Sequence, residues 1–223
     1  MSNKIHGKAN EILKRELKGK WHEKTYEKIR RDPECYGFTS KYLQSLANFN
    51  KFSSTAKTSV LVKLAKLDLK KGTTIPQLVF SCCIRFPKKE AIKSLIDLEK
   101  PSKSLVERVL KFQNDEGFNC LIGLFDMATK YRNKHREYPH GPMLDDIETS
   151  CSYLIHLARS TKLDLNKILN HTTKSGETLF LKASIFSEEI TDRLLKENVR
   201  INSINHIYLT PFFRVSFPAD YWK

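Results

Sequence analysis

The side chains that could perform chemistry are spread along the chain without the spacing that catalytic or metal sites need. His135 and His140 lie five residues apart with Cys151 downstream, whereas a metal site would need more ligands at tighter spacing. Neither a phosphate-binding glycine loop, a nucleophile elbow nor an H-E-x-x-H motif occurs in the sequence. The sequence therefore predicts no metal and no cofactor.

Two further groups of potentially reactive side chains have structural explanations. Cys82 and Cys83 are adjacent on a predicted helix and point to different faces, which favours buried thiols over a reactive pair. Asp145, Asp146 and Glu148 form an acidic group that is typical of a helix N-terminus, where negative charge is favourable. An acid–base pair is the less favoured interpretation, and we expect the protein not to be an enzyme.

Composition limits the class of protein and the kind of partner. The 223 residues are 40% hydrophobic, which is enough to bury a core in one or two compact domains. Because 39 Lys and Arg stand against 25 Asp and Glu, the formal charge of +14 favours acidic partners: nucleic acid, an anionic membrane or an acidic protein face.

Cysteine usage and hydropathy predict a location inside the cell. The five cysteines are an odd number without C-x-x-C spacing, which suits a reducing compartment. No apolar run is long enough to span a membrane, and charges interrupt the first twenty residues, where a signal peptide would be apolar. We therefore expect an intracellular protein, cytoplasmic or nuclear, with no membrane span.

Apolar residues recur at helical spacing between Thr39 and Phe112, in groups separated by Gly72 and three prolines. Helices this short must pack on neighbours to bury their apolar faces. The pattern predicts an all-α fold of stacked helical hairpins, in which five helices contain the groups at 42–49, 60–67, 78–83, 92–96 and 105–110.

Residues 1–38 are predicted to form a basic helical N-terminal segment. Within residues 1–31, ten Lys and Arg oppose four Glu, which leaves a charge of +6 on this basic arm. Its apolar residues recur loosely at helical spacing, so we expect an amphipathic helix that is interrupted near Gly19 and ended by Asp32-Pro33. Trp21 and Tyr26 lie among the positive residues of the arm.

The last half of the chain contains an internal repeat. One helix opening begins at Asn114 and runs through Gly117, and a second opening begins at Ser175-Gly176. A third opening, Thr210-Pro211-Phe212-Phe213, follows Thr178 by thirty-two residues.

This pattern resembles the ankyrin repeat, a unit of about 33 residues in which a turn precedes two antiparallel helices. Gly176 corresponds to the turn glycine, Thr178 to the threonine that caps the first helix, and Phe180 to the buried leucine. The remaining correspondences are Ala183-Ser184 with the small pair of the first helix, Leu194-Leu195 with the second-helix core, Asn198 with its closing glycine, Ile201-Asn202 with the terminal valine and asparagine, and residues 210–213 with T-P-L-H.

The earlier copy fits less well. Gly117, Asn119 and Leu121 match the pattern, but Cys120 replaces proline and Leu124-Phe125 replace the small pair. Gly117 and Gly176 are 59 residues apart, which predicts an inserted exposed loop at 131–146. A second helix would then span Ser152 to Ala158, closed by Leu163 to Asn166.

The resemblance implies ankyrin-like repeats over residues 113–223. Residues 39–112 are either degenerate repeats or helical hairpins of another kind, and both readings stay open. The array either ends in a shortened capping copy near Pro211 or belongs to a longer protein.

Resemblance to the family implies a non-catalytic protein–protein interaction scaffold that holds a partner on its turn tips and first helices. The residues expected at this surface are Phe118 and Glu177 at the turn tips, with Arg132 and Arg136 on the inserted loop. The positive charge predicts a protein partner with an acidic face. The alternative is nucleic-acid binding through the basic arm, whose lysines would contact phosphates while Trp21 and Tyr26 provide stacking surfaces.

Overall fold

The computed structural model describes residues 2–16, 36–47, 54–135, 142–197 and 199. Eleven α-helices occupy most of this part of the chain, and no β-strand occurs in it. The prediction of an all-α protein is therefore confirmed. The chain divides into two compact units, Met1–Pro101 and Ser102–Lys223, whereas the sequence favoured boundaries after residues 38 and 112.

The described residues of the first unit form five helices and a short 3-10 turn. Helix α3 packs against α1, α2 and α5, while α4 packs against α2 and α5. The predicted apolar groups at 60–67, 78–83 and 92–96 each fall within one of these helices, and their inward side chains contribute to its core. The group at 42–49 begins in another of these helices, but its last residue, Phe49, lies outside the described residues. The elements are α1 (Ser2–Glu16), α2 (Gly37–Ala47), α3 (Ser54–Leu69), α4 (Ile75–Arg85), α5 (Lys89–Ile96) and the turn Asp97–Glu99.

Helix α1 is the described part of the basic arm. It buries Ala9, Ile12 and Leu13 and packs against α3, as an amphipathic helix must. The predicted interruption near Gly19 and the end at Asp32-Pro33 lie outside the described residues, as do Trp21 and Tyr26.

In the second unit the structure describes six helices, of which α8 contacts most of the others. This helix packs against its neighbours α7 and α9 and also against α6 and α11, while α10 packs against α7 and α11. The elements are α6 (Lys103–Lys111), α7 (Cys120–His135), α8 (Pro142–Ser160), α9 (Leu165–Leu169), α10 (Leu179–Phe186) and α11 (Glu188–Lys196).

The loop predicted at 131–146 is largely helical. Residues 131–135 complete α7 and residues 142–146 begin α8, so that only 136–141 lie outside the described residues. Pro142 is the first residue of α8, where the missing proline N–H costs no hydrogen bond, and Ile147 anchors this turn in the core. The acidic group beginning at Asp145 accordingly lies at a helix start, as predicted.

The segment after α8 also differs from the prediction. The second helix of this copy begins at Pro142, ten residues before Ser152, and ends at Ser160, two residues after Ala158. Its expected closing segment, Leu163 to Asn166, instead starts α9, because the Asp164 carboxylate accepts a hydrogen bond from Lys167 N–H at 3.4 Å.

Asp68 fixes the start of α2 although it belongs to α3. Its Oδ1 accepts from Phe38 N–H at 2.9 Å and its Oδ2 from Thr39 N–H at 2.7 Å, so it satisfies two backbone donors that have no partner within α2. Burial raises the pKa of the Asp68 carboxyl despite the hydrogen bonds from Thr39 and Phe38. Because folding raises this pKa, the carboxyl contributes stability fully only at acid pH, and the contribution is lost as the pH rises through the folded-state pKa.

We expect Gly37→Ala to destabilise the protein more than Gly72→Ala. Both glycines have positive φ, 77° and 94°, but a Cβ on Gly37 would lie 2.4 Å from Asp68 Oδ1 whereas Gly72 has open space around it. Gly72→Ala should cost about 1–2 kcal/mol of backbone strain, and Gly37→Ala at least about 1 kcal/mol more, because the carboxylate must leave two buried N–H groups. Urea unfolding measures both, and equal losses would contradict this role of Asp68.

Candidate partner-binding surface

The turn before α7 is closed by its own backbone and by one side chain. Asn114 N–H donates to the Phe118 carbonyl at 3.1 Å, and Gly117 N–H donates to the Asn114 carbonyl at 3.0 Å. The Asn114 side-chain oxygen accepts from Phe118 N–H at 2.7 Å. This turn brings the chain to the start of α7 in a fixed direction.

The turn before α10 repeats these three hydrogen bonds 59 positions later. Thr173 N–H donates to the Glu177 carbonyl at 2.9 Å, and Gly176 N–H to the Thr173 carbonyl at 3.0 Å. Here the Thr173 hydroxyl oxygen takes the place of the asparagine oxygen and accepts from Glu177 N–H at 3.0 Å. The two turns thus have one geometry built from different residue types.

Each turn ends in a side-chain cap on the helix that follows. The Asn119 side-chain oxygen accepts from Ile122 N–H at 3.0 Å, and the Thr178 hydroxyl accepts from Leu181 N–H at 3.2 Å. Two positions before each cap stands a glycine with positive φ, 84° at Gly117 and 79° at Gly176. Glycine adopts this conformation without strain. The structure therefore gives a physical reason for the glycine and the capping residue in each predicted helix opening.

The two turns lie side by side. Lys174 N–H donates to the Glu116 carbonyl at 3.1 Å, and His171 Nε2 lies 2.7 Å from the Gly117 carbonyl oxygen. Because a carbonyl only accepts, Nε2 carries the proton in this bond. A Cβ on Gly117 would lie 3.3 Å from Thr173 Cα, so the glycine also permits the close approach.

A buried charge cluster joins the helices behind the turns. Lys182 of α10, whose side chain is only 6% exposed, places Nζ 2.9 Å from Glu177 Oε1 and 3.3 Å from Asp126 Oδ1 of α7. The same ammonium group lies 5.6 Å from the centroid of the Phe118 ring. Lys130 Nζ, at the surface, lies 2.9 Å from the second oxygen of Asp126. The cluster is called the Lys182 cluster below.

The residues expected at the contact surface differ in how exposed they are. Phe118 is 7% exposed, so the prediction of an exposed aromatic at the turn tip is wrong: its ring packs inward beneath Lys182. Glu177 is half-buried by its ion pair with Lys182. Arg132 is half-buried with its guanidinium 5.4 Å from the centroid of the Phe186 ring, and Arg136 lies outside the described residues.

The exposed tips are formed by residues that the sequence interpretation passed over. Asp115 and Glu116 are exposed on the first turn, and Lys174 and Ser175 on the second. Their signal in the sequence is position, since in both turns they directly precede the positive-φ glycine and follow the residue that closes the turn. The structure therefore moves the candidate surface from Phe118 to these neighbours.

The core assignment of Leu194-Leu195 is half right. Leu194 is fully buried, whereas Leu195 is 47% exposed. Adjacent residues on a helix point about 100° apart, so only one of the two faces α8. The other correspondences at Asn198, Ile201-Asn202 and residues 210–213 lie outside the described residues.

Gly72, in the first unit, lies between two helices, as the sequence predicts, and shares some features with the two turn glycines. Gly72 has positive φ and stands two positions before Thr74, the N-cap residue of α4. The Gln77 side-chain oxygen accepts from Thr74 N–H at 2.9 Å. Gly72 N–H, however, donates to the Leu69 carbonyl at 3.1 Å, so this glycine ends α3 and forms no separate turn.

The described cysteines are not positioned for chemistry. Cys82, Cys83, Cys120 and Cys151 are all buried and form no disulfide, which confirms the buried-thiol interpretation of the adjacent pair. Burial raises the pKa of the Cys151 thiol to about 12. Within the described ranges no three His, Cys, Asp or Glu side chains lie close enough together to hold a metal ion.

Comparisons with protein-family models, with curated proteins and with solved structures each gave no match to this chain. Among the described helices, none combines the length and the apolar character that crossing a membrane would require.

We expect the Lys182 cluster to be a strong stabilising contact of the second unit. Lys182→Met leaves Asp126 buried beside only Lys130 and should cost about 3 kcal/mol of unfolding free energy. The exposed Lys167–Asp164 pair, 3.8 Å apart, provides the control, since Lys167→Met should cost less than about 0.5 kcal/mol. Urea unfolding of these two variants, of Asp126→Asn and of the double variant Lys182→Met/Asp126→Asn measures the coupling energy between Lys182 and Asp126. Additive losses in the double variant would show that the two groups do not interact.

The buried thiols should resist modification in the folded protein. At pH 8 the Cys151 thiol, with its pKa near 12, should be protonated and inaccessible, so a disulfide reagent should modify it only after unfolding. Cys82, Cys83 and Cys120 should behave alike because they are equally buried. Counting modified thiols with and without denaturant, by mass spectrometry of peptides, measures this. Rapid labelling of Cys151 under native conditions would contradict its buried position.

Proposed function

We propose that the protein is a non-catalytic protein–protein interaction scaffold built as an ankyrin-like solenoid. The observation that carries the proposal is the pair of turns before α7 and α10, which share hydrogen-bond geometry and touch through Lys174, Glu116, His171 and Gly117. In repeat arrays, copies of one unit stack in register and present their turns along one edge. Two equivalent turns in direct contact are consistent with such stacking.

Rigidity of the turns supports a role in binding. Each turn is closed by a side-chain oxygen and continued by a capped helix, and the Lys182 cluster fixes α10 on α7. A surface that is already ordered loses little conformational entropy when a partner binds. The exposed side chains of residues 115, 116, 174 and 175 would then contact the partner without a rearrangement of the fold.

The charges of the candidate surface indicate what kind of partner face it would bind. The turn tips carry both signs, with Asp115 and Glu116 beside Lys174, whereas Lys130 and Arg132 lie at the far end of α7. An acidic face of the partner would bind at the end of α7, while the mixed charges of the turn tips would set the orientation of the bound partner. Association should therefore become slower as salt rises.

Nucleic-acid binding through the basic arm is the second candidate. Helix α1 exposes Lys4, Lys8, Lys14 and Arg15, so the described part of the arm presents its positive charge to solvent. Because α1 also packs on α3, this charge has a fixed position in the first unit. Either function agrees with a cytoplasmic or nuclear location, which we propose on the charge and cysteine pattern.

The scaffold proposal is tested by affinity capture from nuclease-treated lysate with three baits. They are the parent chain, the tip variant Asp115→Ala/Glu116→Ala/Lys174→Ala, and a control variant Glu189→Ala/Asp192→Ala/Lys196→Ala. The control removes the same charges from exposed positions of α11. We expect a protein that the parent and control retain in a defined stoichiometry and that the tip variant loses at least tenfold. Capture that requires nucleic acid, or that both variants lose alike, would exclude this surface.

A further inference from the structure

Helix α3 presents three lysines on one exposed face. Lys63 and Lys66 lie in α3 and Lys70 in the turn that follows at once, and all three are exposed. At about 100° per residue their side chains, with that of Ser59, fall within roughly 60° of one another around the helix axis. The three lysines are called the lysine row.

The row has no acidic neighbour on its own helix. Asp68 is the one carboxylate between residues 54 and 69, and it lies fully buried on the opposite side of α3, where it accepts the N–H groups of Phe38 and Thr39. Nor does any described carboxylate form an ion pair with Lys63, Lys66 or Lys70. The usual alternation of signs on an exposed helix face is therefore missing here.

Lys71 and Lys41 serve another purpose and are not part of the row. Their ammonium groups lie over the Phe38 ring, 4.5 and 5.2 Å from its centroid, and the His6 ring makes a T-shaped contact with the same ring at 5.2 Å between centroids. These positive side chains hold the α1–α2–α3 junction together. The lysine row, by contrast, has no comparable contact in the described structure.

We propose that the lysine row binds the phosphate backbone of double-stranded nucleic acid without reading its sequence. From residue 63 to residue 70 the helix rises about 10 Å, and a duplex carries about six phosphate charges over that length. Lysine side chains are flexible point charges suited to phosphates. None of the three lysines belongs to the turn tips or to the basic arm.

The composition of the face favours a duplex over other polyanions. A membrane surface would require apolar side chains that insert beside the lysines, and no large apolar side chain is exposed among the described residues of the first unit. Acidic protein faces bind best around buried aromatic or arginine anchors, and lysine is depleted at such interfaces. Single strands need exposed aromatic rings for stacking, whereas α3 contains no aromatic residue.

The test compares full-length variants in binding to a fluorescein-labelled duplex DNA of random sequence, by anisotropy at several salt concentrations between about 50 and 200 mM. The row variant is Lys63→Gln/Lys66→Gln/Lys70→Gln. Its control, Lys103→Gln/Lys167→Gln/Lys196→Gln, removes the same charge from exposed positions of α6, α9 and α11. A third variant, Lys63→Arg/Lys66→Arg/Lys70→Arg, keeps the charge.

We expect the slope of log affinity against log salt to fall by about 3 in the row variant, roughly one for each lysine, and by less than about 1 in the control and the arginine variant. Unchanged thermal unfolding would show that all variants are folded. Absence of duplex binding at low salt, or equal losses in row and control variants, would overturn the proposal. Binding to phosphatidylserine vesicles, polyglutamate or a single strand that is tighter than to the duplex, with the same lysine dependence, would also overturn it.

Discussion

The need to satisfy backbone N–H groups at the starts of short helices governs this structure. Most of the helices are too short to persist alone, and each start leaves donors without a partner in the helix itself. Ser102, Thr178 and Ser187 supply hydroxyl oxygens to α6, α10 and α11. Asp68 supplies a carboxylate to α2 from another helix. The caps therefore contribute to how helices pack as well as to where they begin.

Ser187 shows how one cap can perform both tasks. Its hydroxyl oxygen accepts from Ile190 N–H at 3.1 Å, and the same hydroxyl donates to Glu148 Oε1 of α8 at 2.6 Å. The start of α11 is thereby tied to α8, and an ion pair between Arg159 and Glu197 ties its other end to the same helix. Helix α11, which has nine residues, is thus attached to α8 at both ends. The side chains on its exposed face are not needed for this attachment.

Sequence reasoning succeeded where the physical cause is local. Helical periodicity identified the core helices, and the glycine and cap positions at Gly117, Gly176 and Thr178 adopt the geometry that their residue types imply. It failed where the cause is a contact distant in sequence. Nothing local to Phe118 shows that Lys182, 64 positions later, will lie over its ring. Pro142 was predicted to lie in a loop for another reason. Proline is common both in loops and at the first position of a helix.

Whether a lysine is buried or exposed decides what it can contribute to function, and composition does not distinguish buried lysines from exposed ones. The charge of Lys182 is enclosed between two carboxylates, so it offers almost no field to a partner. Lys63, Lys66 and Lys70 have the same side chain and the same formal charge, yet the carboxylate nearest to them in sequence faces inward to hold α2. Because Asp68 is buried to cap α2, its negative charge cannot balance the positive charge of the lysine row at the surface. The capping bond that positions α2 and the unbalanced face of α3 are two results of the same buried carboxylate.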